Sequence, residues 1–321
     1  MHESRSRALG ALYGLAIGDA LGMPTQSLPR AEIVARYGPL VGGFRPGPAR
    51  HPLAAGLPPG TVTDDTEQAV LLARLLVAGD GEVDAAALAR DLLGPSTRQA
   101  LAALAAGTDA AEAGRHGVTN GAAMRVAPVG IATSSRDPRL LEDRVVAASR
   151  LTHNTGVALA GAAAVAAAVS AGIDGEPLPA TIGRAVAAAA SAARRGHWAA
   201  GADVAARINW ATGLVAGLPQ SQVIGTVSRL VGTSLATQES VPAAFAVAAA
   251  VSGDPWLACR TAASLGGDCD TIAAMTGAIC GAYHGEDMFP VGARAAVARV
   301  NGLDFGPLAD DLLAIRNTAH D

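Results

Sequence analysis

The stretch that most constrains the fold is the run VALAGAAAVAAAVSA at residues 157–171, in which almost every side chain is small and apolar. A helix that is apolar on all sides is buried, either in the core of a large protein or in a membrane. The run is shorter than the roughly 20 residues that a membrane span needs, and Ala is only weakly apolar. It therefore predicts a buried helix in a large helical protein, with no membrane as a partner.

The rest of the apolar content has the same character. Half of the 321 residues are hydrophobic, yet only 3% are aromatic. Ala is the strongest helix former, and faces rich in Ala let helices approach closely. The 38 Gly and 18 Pro residues indicate frequent interruption by turns. The composition predicts an all-α protein of many short helices.

The helical signals continue along the whole chain without a Pro/Ser-rich or charged linker, so we expect a single all-α domain over residues 1–321. Loops are predicted at 38–60 and 114–121. Helices are predicted at 4–21, 65–79, 83–93, 96–106, 138–151, 155–171, 177–195, 200–215, 220–231, 240–252, 254–264, 270–283, 290–300 and 307–318.

Charge and cysteine usage exclude several partners. The formal net charge is -4 and no basic stripe is present, which argues against nucleic acid as a partner. The three cysteines form no C-x-x-C pair, which disfavours a disulfide framework or a zinc site. The N-terminus lacks the apolar core of a signal peptide. These features favour a reducing cytoplasm.

Two short acidic segments break the Ala-rich pattern. Residues 61–67 read TVTDDTE and residues 264–271 read SLGGDCDT, each at the predicted start of a helix. An Asp at a helix N-terminus accepts backbone N–H bonds and suits the helix dipole, so Thr63 or Asp64 is expected to cap the first of these helices. Two aspartates flanked by hydroxyls exceed what capping requires.

A divalent-cation site is the alternative to two separate capping motifs. If the segments meet, four carboxylates share one volume and raise one another's pKa. Hard oxygen ligands of this kind bind Mg²⁺, Mn²⁺ or Ca²⁺ and not zinc. Two dications would nearly neutralise four carboxylates, which favours a dinuclear site. The residues alone leave both interpretations open.

A third interpretation of the second segment is a phosphoaspartyl nucleophile of the haloacid-dehalogenase type, with the pattern D-x-D-x-T. Here the pattern is D-C-D-T, one residue short. The preceding residues are not β-branched as a strand would be, and only about 50 residues follow. We therefore reject this interpretation.

Five segments together resemble the ADP-ribosylglycohydrolase family, which includes the dinitrogenase reductase-activating glycohydrolases. The matching segments occur in the family's order and cover roughly residues 5–285; they are GLAIGDALGMP, TVTDDT, NGAAMRVAP, LTHNT and GGDCDT. Each segment alone is a weak signal, whereas the set is specific. The resemblance implies an orthogonal bundle of α-helices around two Mg²⁺ or Mn²⁺ ions.

The resemblance also implies residue roles. The first ligand group would be Thr63, Asp64 and Asp65, and the second would be Asp268, Asp270 and Thr271. Asp65, Asp268 and Asp270 would take part in catalysis. The substrate would be contacted by Asn120, Gly121, His153, Gly266, Gly267 and Gln26. Taken singly, Asn120 before Gly121 also suits a turn, and His153 suits a helix cap or core.

Two positions depart from the family pattern. Gln26 stands where ADP-ribosyl-protein hydrolases often have Glu, and Gln cannot act as a base. Ser96 stands near a position where many members have Asp. Both changes remove carboxylates from around the substrate and leave the two acidic segments intact. Asp19, between small residues, is expected to be a structural acceptor near the site and not a ligand.

The implied activity is hydrolysis at the anomeric carbon of a ribose, with ADP-ribose released from a modified protein or small molecule. Metals would bind the ribose hydroxyls and activate a water, and carboxylates would stabilise an oxocarbenium-like transition state. Asp65 or Asp270 would accept the proton. Two alternatives remain: the same site acting on a free nucleoside or other small riboside, and a non-catalytic binding or structural protein.

Overall fold

A computed structural model describes residues 2–84, 87–88, 102, 107 and 109–318. Within these residues every regular element is helical. Strand-like pairing is limited there to two isolated bridges, between Thr119 and Ala236 and between Thr155 and His197. The all-α class is confirmed, and the architecture is a multi-helix bundle.

The α-helices of the described residues are α1 (His2–Gly22), α2 (Arg30–Tyr37), α3 (Asp64–Ala78), α4 (Ala110–Ala113), α5 (Gly121–Arg125), α6 (Ala127–Ala132), α7 (Pro138–Ser149), α8 (Gly156–Ile173), α9 (Leu178–Ala192), α10 (Val204–Val215), α11 (Gln220–Thr226), α12 (Thr237–Ala250), α13 (Pro255–Ala262), α14 (Cys269–His284), α15 (Val291–Asn301) and α16 (Phe305–Thr318). A π-helical turn, Val227–Val231, continues α11, and a 3₁₀ turn, Glu286–Met288, follows α14.

Most predicted helices are present with bounds shifted by a few residues. The predictions at 83–93 and 96–106 fall almost wholly outside the described residues. Helices α2, α4, α5 and α6 were not predicted. They are short, and α2 buries only Ile33, so the sequence carries little periodic signal there.

The predicted loop at 38–60 is confirmed, and no helix or strand forms between α2 and α3. The buried His51 ties this loop to the body of the protein. Its Nδ1 accepts hydrogen bonds from the backbone N–H groups of Leu53 and Ala54. Its Nε2 therefore carries the proton and donates to the carbonyl of Gln26 at 2.8 Å.

Helix α8 contains the Ala-rich run and lies in the core. All of its residues except Val157 are buried, and it packs against α9, α14, α6, α5 and α7. It is long and apolar enough to cross a membrane by length and composition, but 89% of it is buried inside the protein. That burial favours the predicted interpretation of a core helix.

Among the described helices, α1 and α14 make the most extensive contact, and they run antiparallel with their backbones touching. Four glycines of α1, spaced four residues apart, face α14; they are Gly10, Gly14, Gly18 and Gly22. A methyl group on Gly14 would lie 2.1 Å from the carbonyl oxygen of Gly277, and one on Gly10 would lie 2.3 Å from that of Gly281. Only glycine permits this approach.

We predict that Gly14→Ala destabilises the protein by about 1–3 kcal/mol, because the added methyl would force the two helices apart. Gly213→Ala in α10 is the matched control, since Gly213 is an exposed helix residue with open space around it. That change should stabilise the protein by up to about 1 kcal/mol. Urea denaturation measures both. Equal effects of the two substitutions would contradict close packing at Gly14.

Candidate metal centre

The start of α3 is capped from another helix. The carboxylate of Asp19 in α1 accepts hydrogen bonds from the backbone N–H and the hydroxyl of Thr63, and from the same two groups of Thr66. Thr63 occupies the N-cap position but makes no side-chain capping bond. The prediction that Thr63 or Asp64 caps α3 was therefore wrong, whereas the prediction that Asp19 is a structural acceptor is confirmed.

This arrangement leaves the aspartates of α3 available for other contacts. Asp65 is 1% exposed, and its Oδ2 accepts from the hydroxyl of Thr271 at 3.3 Å. The same Oδ2 lies 3.1 Å from the hydroxyl of Thr63, which makes its shorter contact with Asp19. Its Oδ1 is buried without a hydrogen-bond partner. A buried carboxylate oxygen without a partner is costly, and this one is suited to coordinate a cation.

The second acidic segment stands at the start of α14. Asp268 is the N-cap residue but makes no side-chain capping bond. Asp270 is 4% exposed and, like Asp65, has a buried Oδ1 without a partner. A methyl group on Gly22 would lie 2.3 Å from the Cα of Asp270, so close packing of α1 fixes the position of this aspartate.

The two segments meet, as the metal-site interpretation requires. The bond from the Thr271 hydroxyl to Asp65 joins α14 to α3 across 206 residues of sequence. Burial raises the pKa of Asp65 well above its ordinary value, and the charges of Asp19, Asp270, Asp64 and Asp268 raise it further. Burial and the charges of Asp268 and Asp19 do the same to the pKa of Asp270. Neither Thr63 nor Asp268 makes a side-chain capping bond, which counts against the interpretation as two separate capping motifs.

Asp268 is held by a neutral donor. Burial raises its pKa to about 6, against the opposing effect of a hydrogen bond from the Asn120 amide. That amide also donates to the hydroxyl of Ser240 at 3.0 Å. Asn120, predicted to bind substrate, thus orients a predicted metal ligand in this structure.

The donor set fits hard divalent cations, since it consists of carboxylate and hydroxyl oxygens. The orphaned oxygens of Asp65 and Asp270 give independent support. Among the described residues, however, no three His, Cys, Asp or Glu side chains converge closely enough to hold an ion. The two predicted ligand groups therefore lie in one region, but their side chains do not form a complete coordination sphere.

The glycines before Asp268 have a backbone role. Gly266 and Gly267 have positive φ angles of 86° and 68°, which L side chains rarely adopt. A methyl on Gly267 would lie 2.3 Å from the carbonyl oxygen of Thr233, and the N–H of Asp268 donates to that same oxygen. The pair lets the chain turn sharply into α14, and its predicted contact with substrate remains a prediction.

His153 is buried and contacts the residues on both sides of Asn120 in the chain, Thr119 and Gly121. Its Nδ1 is 2.7 Å from the hydroxyl of Thr152, and its Nε2 is 2.9 Å from that of Thr119. Burial, and secondarily the charge of Arg125, lowers the pKa of His153 to about 3, so the imidazole is neutral. A methyl on Gly121 would lie 2.8 Å from this ring, so the predicted pair Gly121 and His153 are in contact.

Gln68 and Arg125, which were not predicted as site residues, connect Asp64 to the residues around His153. Gln68 lies one helical turn after Asp64 and donates to its Oδ2 at 3.0 Å. Arg125, treated as an ordinary helix residue, is almost fully buried and donates to Gln68 at 3.1 Å. The i,i+4 spacing of Asp64 and Gln68 was a signal for the first contact, whereas the second depends on the fold.

Of the two departures from the family pattern, only Gln26 lies among the described residues. It is 8% exposed, and its side-chain amide donates to the carbonyl of Met23. Ser96 lies outside the described residues. A cavity of about 770 Å³ between α7, α8 and α9 contains none of the predicted site residues among its lining side chains.

The sequence and the fold have counterparts in known proteins. The model of the ADP-ribosylglycohydrolase family matches residues 1–321. The chain belongs to the ADP-ribosylglycohydrolase family. This membership supports glycosidic hydrolysis of ADP-ribosylated substrates in general, and the family is generally metal-dependent.

Individual relatives span the chain to different extents. The protein is 37% identical to the uncharacterized protein YegU of Escherichia coli strain K12, with 97% of each chain covered. It is 36% identical to the ADP-ribosyl-(dinitrogen reductase) glycohydrolase of Rhodospirillum rubrum over 46% of this chain and 51% of that protein. A solved ADP-ribosylglycohydrolase-related protein complex superposes with a TM-score of 0.68, at 28% identity, covering 98% of this chain and 99% of that chain.

We predict that Asp268 makes the metal-free protein less stable as the pH rises from about 4 to 6. Its pKa of about 6 in the folded state exceeds the ordinary 3.8, so the folded protein binds more protons than the unfolded chain in this range. The free energy of unfolding of the wild type relative to Asp268→Asn should therefore fall as the pH rises from about 4 to 6. Urea unfolding in a chelator at pH 4.5 and 7 measures the difference; a rise would contradict the prediction.

Proposed function

We propose that this protein is a divalent-cation-dependent ADP-ribosylglycohydrolase. It hydrolyses an N- or O-glycosidic bond at the anomeric carbon of ADP-ribose and releases ADP-ribose from a modified protein or small molecule. The observation that supports this most is the pair of orphaned carboxylate oxygens, on Asp65 and Asp270, brought together from α3 and α14. Family membership supports the class of reaction.

The residues that would hold two Mg²⁺ or Mn²⁺ ions come from both acidic segments; they are Thr63, Asp64, Asp65, Asp268, Asp270 and Thr271. When bound, such ions act as Lewis acids that orient hydroxyl groups and lower the pKa of water. The protein's contribution is rigidity. Asp19 and the glycines of α1 fix the starts of α3 and α14, so the carboxylates are positioned before substrate arrives.

The carboxylates also suit the charge that develops during the reaction. Cleavage at an anomeric carbon passes through a transition state with positive charge on the ring, which nearby carboxylates stabilise. Asp65 or Asp270 would accept the proton lost by the attacking water. Asn120 holds Asp268 in place, and the ring of His153 packs against Gly121 beside it.

Replacing Asp270 by Asn should lower kcat/KM for release of ADP-ribose from ADP-ribosyl-arginine by about 10²-fold or more, because the loss of a ligand removes several kcal/mol of transition-state stabilisation. Helicity by circular dichroism should stay nearly unchanged. Asp287→Asn is the matched control, since Asp287 is a highly exposed acid in the 3₁₀ turn after α14. Full activity of Asp270→Asn would contradict the proposal.

A second candidate is the same centre acting on a free nucleoside or other small riboside. It is favoured by Gln26, whose side-chain amide donates to the backbone carbonyl of Met23 and supplies no carboxylate to the site. A panel of ADP-ribosyl-arginine, ADP-ribosyl-serine, O-acetyl-ADP-ribose and nucleosides separates the two. We expect turnover of the ADP-ribosyl substrates; turnover of nucleosides alone would favour the second candidate.

A further inference from the structure

A chain of buried hydrogen bonds links the acidic region to His153. It starts at Asp64, which accepts from Gln68, and Gln68 accepts in turn from Nη1 of Arg125. Nη2 of Arg125 donates at 2.9 Å to the hydroxyl of Thr152. That hydroxyl lies 2.7 Å from Nδ1 of His153.

Arg125 sets the direction of this chain because a guanidinium has only donors. The carbonyl oxygen of Gln68 must face Arg125, so its NH₂ group must face Asp64. At the other end, the oxygen of Thr152 accepts from Arg125. This direction of the hydrogen bonds is the same whether or not Asp64 is ionised.

The hydrogen of the Thr152 hydroxyl then has one acceptor. Thr152 is 2% exposed, and among the described residues its hydroxyl makes no hydrogen bond other than those to Arg125 and His153. If Nδ1 of His153 carried the proton, the hydroxyl would accept twice and its own hydrogen would stay buried and unpaired. Such unpaired buried donors are costly, so Nδ1 is the acceptor.

We propose that Arg125 is a positioning residue that, through Thr152, fixes neutral His153 in the tautomer with the proton on Nε2. The imidazole then presents an N–H donor toward Thr119, a half-buried residue beside Asn120. A ligand that displaces the Thr119 hydroxyl meets a hydrogen-bond donor and no base. The group it offers must be an acceptor, such as a phosphate or ribose oxygen.

The structure also explains why His153 keeps this form over a wide pH range. Its burial and the neighbouring charge of Arg125 disfavour a second proton on the ring. The hydrogen-bond partners of the ring among the described residues are the Thr119 and Thr152 hydroxyls, neither of which ionises in this range, and Arg125 is the charged group that acts on its pKa. Only the identification of the ligand atom as a phosphate or ribose oxygen rests on the proposed function.

The tautomer is measured by two-bond ¹H–¹⁵N correlation spectra of the ¹⁵N-histidine-labelled full chain without ligand, with His153→Asn used to assign the signal among seven histidines. We expect the Nε2–H pattern for His153 from pH 8 to pH 5. A predominant Nδ1–H pattern, or protonation of the ring within that range, would overturn the proposal.

Two valine substitutions locate the cause. Thr152→Val removes the donor to Nδ1, so mixed tautomers are expected. Thr119→Val removes only the partner of Nε2, so the wild-type tautomer should persist. Arg125→Met should act like Thr152→Val, and if it fails to fold, Thr152→Val decides alone. An unchanged tautomer in Thr152→Val, or a changed one in Thr119→Val, would show that Arg125 does not control it.

The ligand contact has its own test. Addition of ADP-ribose with Mg²⁺ should shift the Nε2–H resonance of wild-type His153. Calorimetry on the same sample reports whether ADP-ribose binds. Binding without a shift would overturn the contact with His153, whereas absence of binding would count against the proposed function and leave the tautomer result standing.

Discussion

The close contact between α1 and α14 is the constraint on which the candidate site depends. Backbone touches backbone along four helical turns because glycines at every fourth position of α1 leave no side chain between the helices. The C-terminal end of α1, at Gly22, lies against the Cα of Asp270 in the first turn of α14. The position of the second acidic segment is therefore set by packing, which is rigid, and not by a loop.

The same helix fixes the first acidic segment by a different interaction. Asp19, on α1 between two of those glycines, satisfies the backbone and hydroxyl donors at the start of α3. A cap supplied from outside frees Asp64 and Asp65 from capping. One helix thus holds two groups of carboxylates whose mutual repulsion would otherwise separate them, and it does so at the cost of raised pKa values.

The residues alone left open whether these two segments meet, because paired aspartates beside hydroxyls suit either a shared metal site or two caps; the resemblance to the family implied one shared site. The sequence did not predict that Asp19 caps α3, because a capping residue 44 positions away leaves no local pattern. The four-residue spacing of the glycines in α1 is visible in the sequence, but the sequence does not show which helix packs against them. The buried chain through Arg125 was missed because an Arg in a short helix resembles a surface residue until the fold buries it.

We infer that α3 and α14 together form one divalent-cation centre. The sharpest test is calorimetric titration of Mn²⁺ into the wild type, Asp65→Asn and Asp270→Asn, because each variant changes one segment only. We expect two ions per wild-type chain and weakened binding in both variants. Absence of Mn²⁺ binding to the wild type, or unchanged binding in either variant, would contradict it.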